Sequence, residues 1–138
     1  MIALDTNVLA RYYVASSDVP SKKQGVAAKK LLESGKSLFV SKTVVLELEW
    51  VLRGYYKSPP DDVLIVLTHL LAMPNLEVED RVAVELAVTA LDDGFDFADA
   101  LHHASARHCT SVATFDDQRF ARRASAKGWK PPVKLVVI

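Results

Sequence analysis

The chain has 138 residues, of which half are hydrophobic and a quarter are charged, and this composition fits one globular domain with a substantial core. Seventeen basic and seventeen acidic residues cancel, which excludes a strongly basic nucleic-acid-binding domain and leaves only a local patch for such contacts. The single cysteine, Cys109, excludes an internal disulfide and favours a reducing compartment.

The start of the chain lacks the basic leader and the small-residue cleavage site of a signal peptide. The longest apolar-rich stretch, residues 63–73, is too short to span a bilayer. We therefore expect a cytoplasmic protein with no membrane partner. Because no repeat, low-complexity tract or linker interrupts the sequence, we also expect a single domain over residues 1–138.

Short β-like runs alternate with longer helical patterns along the chain. The predicted strands are Met1–Leu4, Ser37–Val40, Leu76–Val78, Ser111–Phe115 and Lys134–Ile138. The predicted helices are Thr6–Val14, Ser21–Ser34, Lys42–Lys57, Asp61–Met73, Asp80–Asp92, Phe97–His108 and Asp116–Lys127. Short, mostly apolar strands that alternate with helices are typical of a parallel sheet covered on both faces. This pattern predicts an α/β fold with its functional site at the carboxyl ends of the strands.

Acidic residues stand at the ends of several predicted elements. Asp5 follows the first strand and Asp116 follows the fourth, so that both carboxylates are expected at the same edge of a parallel sheet. Asp96 and Asp99 are three residues apart at the start of a helix and share a face of it. Taken singly, each of these acids also suits a helix cap or a favourable interaction with the helix dipole.

A further acid lies inside an apolar helix. Glu47 and Glu49 flank the stripe of apolar residues on that helix from opposite sides, so periodicity does not choose between them. Either glutamate could face the solvent, and either could face a site at the edge of the sheet.

Taken together, the acids indicate a metal site. Three or four carboxylates at one edge cannot all stay ionised without a cation, because like charges raise their pKa values and oppose folding. Mg²⁺ and Mn²⁺ prefer such oxygen ligands, and they activate water and stabilise charge in phosphodiester hydrolysis. No P-loop or Gly-rich phosphate cradle is present, so chemistry on a nucleoside triphosphate is not favoured.

Four segments, in order, resemble the motifs of PIN-domain ribonucleases, and in particular the VapC-type toxins of toxin–antitoxin systems. They are Met1–Leu9 with its Asp-Thr-Asn signature, Val44–Arg53, Phe95–Leu101 and Val112–Asp116. The resemblance implies a three-layer α/β/α sandwich with a five-stranded parallel sheet. It also implies an endoribonuclease that depends on Mg²⁺ or Mn²⁺, forms a homodimer, pairs with a VapB-like antitoxin and inhibits translation or growth.

The resemblance further implies a role for individual residues. The metal-site acids that it indicates are Asp5, Glu47, Asp96, Asp99 and Asp116. Of these, Asp5, Glu47 and Asp99 are the core, and Asp116 is the fourth and most variable catalytic acid. Asn7 and Thr114 resemble polar residues that orient the carboxylates or the attacking water. The choice of Glu47 over Glu49 rests on this alignment, and the doublet Asp116–Asp117 leaves the fourth acid ambiguous by one residue.

Two other features permit more than one interpretation. The basic C-terminal segment offers Arg122 and Arg123 as candidate contacts to RNA phosphates, although both also suit a solvated helix face. A receiver-like phosphotransfer domain would use a strand-end aspartate together with an essential lysine, for which Lys42 is a weak match. A non-catalytic PIN-like module that binds RNA or protein is the other alternative.

Overall fold

The computed structural model describes residues 1–138, and its contacts divide the chain into two compact units, Met1–Arg81 and Val82–Ile138. The first unit contains three strands: β1 (Ile2–Ala3), β2 (Leu38–Val40) and β3 (Leu76–Val78). Its helices are α1 (Thr6–Tyr13), α2 (Val19–Leu32), α3 (Lys42–Trp50) and α4 (Pro60–Ala72). A π-helical turn, Val51–Tyr55, directly continues α3.

The second unit begins within α5 (Arg81–Asp92), which is followed by α6 (Phe97–Ser105). The chain continues with strand β4 (Val112–Thr114), a second π-helical turn (Asp117–Ala121), the short helix α7 (Arg122–Ala126) and strand β5 (Val133–Leu135). Phe120, Ala121, Ala124 and Val133 are buried together, and Val112 and Trp129 pack against them. No helix of the chain is long and apolar enough to cross a membrane.

All strand pairs are parallel, which confirms the predicted α/β fold. In the first unit, β2 lies between β1 and β3, with Leu38 opposite both Ile2 and Leu76. In the second unit, Val112 of β4 lies opposite Val133 of β5. The five strands form hydrogen-bonded groups of three and two rather than one ladder of five. Because the strands within each group are parallel, their carboxyl ends lie at a common edge.

The helix boundaries differ from the predicted ones where local hydrogen bonds decide them. Helix α2 begins at Val19, before the predicted Ser21, because the Asp18 carboxylate caps it by accepting a hydrogen bond from the Ser21 amide at 3.0 Å. The predicted helix Lys42–Lys57 is α3 followed by the π-helical turn, in which the Tyr56 amide donates to the Val51 carbonyl five residues earlier. The predicted helix Asp116–Lys127 is likewise divided into a π-helical turn and α7.

The cores follow the expected apolar faces. Leu38 and Val40 of β2 are fully buried in the first unit, together with Val45 and Leu48 of α3. This packing holds α3 with its apolar stripe inward, so the orientation of the charged residues on α3 is determined by burial rather than by their own preferences. In the second unit, Phe97 is the largest fully buried side chain and it anchors the start of α6.

Candidate metal and active site

Asp5 lies where β1 ends and α1 begins. Its side-chain oxygen Oδ1 accepts a hydrogen bond from the Thr6 amide at 2.8 Å, and the residue is exposed. Asp5 therefore stands at the helix N-terminus, as the capping interpretation of the sequence expected. The same bond restrains its carboxylate, which keeps further acceptor capacity for a ligand.

A pocket of about 340 Å³ in the first unit contains both Asp5 and Glu47. It is lined by Asp5, Thr6, Asn7, Ala10, Arg11, Glu47, Val51, Tyr55 and Tyr56. Three residues that the sequence analysis singled out, Asp5, Asn7 and Glu47, thus share one cavity although α1 and α3 are distant along the chain. The pocket also holds a cation, Arg11, and two phenols that the motifs did not indicate.

The two glutamates of α3 have different surroundings. Glu49 is buried, and Arg53 donates Nε hydrogen bonds to both of its carboxylate oxygens, at 3.0 and 3.2 Å. A carboxylate at this depth requires such a partner, because an unpaired buried charge is costly. Glu47 is exposed and lines the pocket with Asp5. Glu49 therefore has a structural partner, and Glu47 is the glutamate that remains accessible to a ligand.

In the second unit, two of the acids are helix caps. The Asp96 carboxylate accepts a hydrogen bond from the Asp99 amide at 3.0 Å at the start of α6. The Asp116 carboxylate accepts one from the Arg119 amide at 2.9 Å at the start of the π-helical turn. Thr114, a predicted orienting residue, accepts a hydrogen bond at Oγ1 from the Asp116 amide at 3.0 Å. Thr114 thereby helps to hold Asp116 at the end of β4.

Asp99 differs from these caps because its surroundings oppose its negative charge. Desolvation raises the pKa of Asp99, and the neighbouring carboxylates of Asp96 and Asp116 raise it further, while His102 acts in the opposite direction. Asp96, Asp99 and Asp116, which we call the acidic trio, are therefore close enough to interact. Ionised Asp99 costs stability in the absence of a positive partner.

Three charged residues of the C-terminal segment, Asp117, Arg122 and Arg123, have partners within the protein. Asp117 forms an ion pair with Arg122, with 2.9 Å between Oδ2 and Nε, so within the Asp116–Asp117 doublet it is Asp116 that interacts with Asp99. The Arg123 guanidinium lies over the Phe95 ring, 4.7 Å from its centroid. The predicted RNA contacts Arg122 and Arg123 thus each make a protein contact, and their role towards RNA stays a prediction.

The chemistry of the donor set fits a hard divalent cation. The candidate ligands are carboxylate oxygens, which Mg²⁺ and Mn²⁺ prefer, and the acidic trio carries like charges that a cation would relieve. In the first-unit pocket the buried hydroxyl of Thr6 has no hydrogen-bond partner, which leaves a polar atom there for an added ligand or water. No group of three or more His, Cys, Asp or Glu side chains has an arrangement that could hold a metal ion directly.

Thr6 and Arg11 line the first-unit pocket but received no individual role from the sequence. Thr6 lies inside the Asp-Thr-Asn signature, and its unpartnered hydroxyl becomes evident only from its burial. Arg11 is four residues from Asn7, a spacing that places both on one face of α1 and that could have drawn attention to it. Among the histidines, His103 is buried and its Nε2 is 2.8 Å from the Pro131 carbonyl oxygen, so its role is structural.

Comparison with known proteins identifies the family of the chain. The sequence pattern of the PIN domain family matches residues 2–126, which is most of the chain and includes every acid discussed above. A search of curated proteins finds no significant match. PIN domains are generally nucleases, commonly metal-dependent ribonucleases, so the fold is of nuclease type. Because the match extends over most of the chain, this protein belongs to the PIN domain family.

Proposed function

We propose that this protein is an endoribonuclease that uses Mg²⁺ or Mn²⁺ to hydrolyse RNA phosphodiester bonds. The residues proposed to serve the metal are Asp5 and Glu47 in the first unit and Asp99, supplemented by Asp96 and Asp116, in the second. The observation that carries the proposal is the environment of Asp99, an acid whose pKa is raised by desolvation and by two neighbouring carboxylates. An acid that costs stability without serving as a cap is typical of a functional site.

The surroundings of each acid support its proposed part. Asp5 and Glu47 line one pocket and are exposed, whereas Glu49 is buried and bound by Arg53. In the second unit, capping bonds to backbone amides fix the carboxylates of Asp96 and Asp116. Ligands that are held in place before the cation arrives lose less conformational entropy when it binds.

When bound, a divalent ion would lower the pKa of a water molecule and stabilise negative charge on the phosphate oxygens. The protein's own residues would hold and orient the groups around that ion. Asn7, in the pocket with Asp5, is proposed to orient a carboxylate or water through its amide. Thr114 already fixes the backbone of Asp116, which supports its assignment as an orienting residue.

The proposed test is the cleavage of purified total RNA by the full chain in Mn²⁺ or Mg²⁺. We expect cleavage that stops when EDTA is added and that is lost in Asp5→Ala and Asp99→Ala. Asp117→Asn is the matched control, because Asp117 forms a surface ion pair with Arg122 and should be dispensable. Cleavage that persists in both alanine variants would contradict the metal site, and RNA binding without turnover in Mn²⁺ would support the non-catalytic alternative.

We further propose that the protein acts as the toxin of a toxin–antitoxin pair, as a homodimer inhibited by a VapB-like antitoxin. This rests on the resemblance of its motifs to VapC-type toxins. Induced expression should arrest bacterial growth, and co-expression of the product of a short neighbouring reading frame should restore it. Growth that continues unaffected during expression of an active nuclease would contradict the toxin role and leave the ribonuclease proposal intact.

The receiver-like alternative has less support. It requires an essential lysine beside the acceptor aspartate, and Lys42 instead forms an ion pair with Asp80, at 3.2 Å between Nζ and Oδ2. Failure of the chain to form an acyl phosphate with acetyl phosphate would agree with this conclusion.

A further inference from the structure

The first-unit pocket contains a cation that the proposed metal site does not use. Arg11 lines the pocket with Asp5 and Glu47, and both of its hydrogen bonds go to neutral side chains. Its Nε donates to Gln24 Oε1 at 2.9 Å, and its Nη1 donates to the Tyr56 hydroxyl at 2.8 Å. These bonds leave the outer edge of the guanidinium with unused donors and an uncancelled positive charge.

Arg11 interacts only weakly with Asp18, an acid with a shifted pKa. The pKa of Asp18 is lowered chiefly by its hydrogen bonds to Ser21, and Arg11 is the smallest of the causes. A guanidinium that is held by two neutral partners next to exposed carboxylates suits a phosphate group, because Arg presents planar paired donors to such oxyanions.

An exposed aromatic ring lies in the same pocket. Tyr55 is 73% exposed although it belongs to the π-helical turn, and its ring meets that of Tyr56 edge-on at 4.9 Å between centroids. At this exposure the Tyr55 ring stays largely accessible to solvent despite the contact. An exposed aromatic ring beside a basic group is the combination with which proteins bind single-stranded nucleic acid, by stacking on a base and contacting its phosphate.

We propose that Arg11 and Tyr55 form a binding subsite for one nucleotide of single-stranded RNA beside Asp5 and Glu47. The subsite deepens the proposed ribonuclease function and rests on it for the identity of the polymer. Arg11 contacts a phosphate and Tyr55 stacks on a base. The subsite thereby places the RNA strand along the acidic pocket.

Tyr56 and Gln24 serve as positioning residues for this subsite. Together they restrain the Arg11 side chain from two sides, which reduces the rotamer freedom that it would otherwise lose on binding RNA. The π-helical turn contributes as well. The Tyr56 amide donates to the Val51 carbonyl five residues earlier, and this wider turn sets the positions of Tyr55 and Tyr56 on the helix surface.

The test measures binding of a fluorescein-labelled single-stranded oligoadenylate to the full chain by fluorescence anisotropy in EDTA, where metal-dependent cleavage cannot occur. We expect Arg11→Gln to weaken binding by about tenfold, the effect of losing a charged hydrogen bond. Tyr55→Leu should weaken it by at least about fivefold, whereas Tyr55→Phe, which keeps the aromatic face, should bind like the wild type. Tyr56→Phe should have a smaller effect than Arg11→Gln because the guanidinium stays but loses one restraint.

The dependence of binding on salt separates the two roles. Arg11→Gln should reduce the slope of log K against log salt concentration by about 0.7, the value for one phosphate contact on a single strand. Tyr55→Leu should leave that slope unchanged. Two matched controls lie outside the pocket: Lys23→Gln removes a positive charge from α2, and Trp50→Leu removes a ring that is 58% exposed on α3.

The experiments can contradict the nucleotide subsite and the ribonuclease activity independently. If the wild type cleaves RNA in Mn²⁺ but Arg11→Gln and Tyr55→Leu bind the oligoadenylate as tightly as the wild type, the subsite is wrong and the nuclease stands. If the variants lose binding but the wild type never cleaves RNA, the subsite stands and the nuclease proposal is wrong. Wild-type binding no tighter than that of a variant carrying both Arg11→Gln and Tyr55→Leu would also overturn the subsite.

Discussion

The acids of the two units stand in opposite electrostatic surroundings. In the first unit, Asp5 and Glu47 share their pocket with the Arg11 guanidinium and two phenols. In the second unit, desolvation raises the pKa of Asp99, and the neighbouring carboxylates of Asp96 and Asp116 raise it further. The first pocket has charges of both signs, and the acidic trio is dominated by one sign.

This difference helps to separate structural acids from functional ones. Asp5, Asp96 and Asp116 each accept a hydrogen bond from a backbone amide at a helix start, so stability alone could explain them. Glu49 is explained by Arg53. Asp99 and Glu47 have no such explanation, and Asp99 acts against stability when ionised. Substitutions at Asp99 and Glu47 therefore give the clearest test of the difference between structural and functional acids.

The largest effect is expected at Asp99. Asp99→Asn should reduce RNA cleavage in Mn²⁺ by at least about 100-fold, because it removes a proposed ligand of the cation. The same change should slightly raise the stability of the metal-free chain, since it removes a charge that its neighbours repel. Cleavage rates and urea unfolding in EDTA measure the two effects. A variant that loses both activity and stability would indicate a structural role.

The next effect separates the glutamates of α3. Arg53→Met should lower the free energy of unfolding by about 1–3 kcal/mol, because it leaves the buried Glu49 carboxylate without its charged partner. Glu47→Gln should leave stability nearly unchanged and should greatly reduce cleavage. Urea denaturation and a cleavage assay on both variants check this. Equal losses of stability would remove the distinction between the two positions.

A smaller effect concerns pH. The pKa of Asp99 in the folded chain lies above its ordinary value of 3.8. Below pH 3.8 the carboxyl is neutral in the folded and the unfolded chain, and its contribution to stability is complete. This contribution is lost as the pH rises through the folded pKa. In EDTA, the stability advantage of Asp99→Asn over the wild type should therefore be largest at neutral pH and shrink on acidification. It should stay below about 1 kcal/mol because Asp99 is only partly buried. Saturating Mg²⁺ should reverse the order at neutral pH.

The smallest effects are expected in the doublet after β4. Asp116→Asn should preserve the cap on the Arg119 amide, since Asn also caps well, but should reduce cleavage by removing charge from the acidic trio. Asp117→Asn breaks only the surface ion pair with Arg122 and should change stability by less than about 1 kcal/mol without affecting cleavage. A larger loss of cleavage in Asp117→Asn than in Asp116→Asn would reassign the fourth acid.

Much of the fold could be read from the sequence because the strands and helices are specified by local patterns. The predicted strand Leu76–Val78 has the observed bounds, and the first, second and fourth predicted strands contain the observed ones. The last strand is Val133–Leu135, so it ends three residues before the predicted end at Ile138. The two π-helical turns were not anticipated, since the helical periodicity of their residues is close to that of an ordinary helix. The grouping of the strands into three and two likewise depends on hydrogen bonds between segments that are distant along the chain.

By itself, the sequence determined the α/β class, the positions of the acids at strand and helix ends, and the order of the motifs that indicate a PIN domain. Only the tertiary structure decided that Glu49 is buried beside Arg53, that Glu47 shares a pocket with Asp5, and that Arg11 reaches Tyr56. The reason is that secondary structure follows from interactions over a few residues. Burial, the pKa of a carboxyl and the partner of a charge depend instead on which distant segments the fold brings into contact.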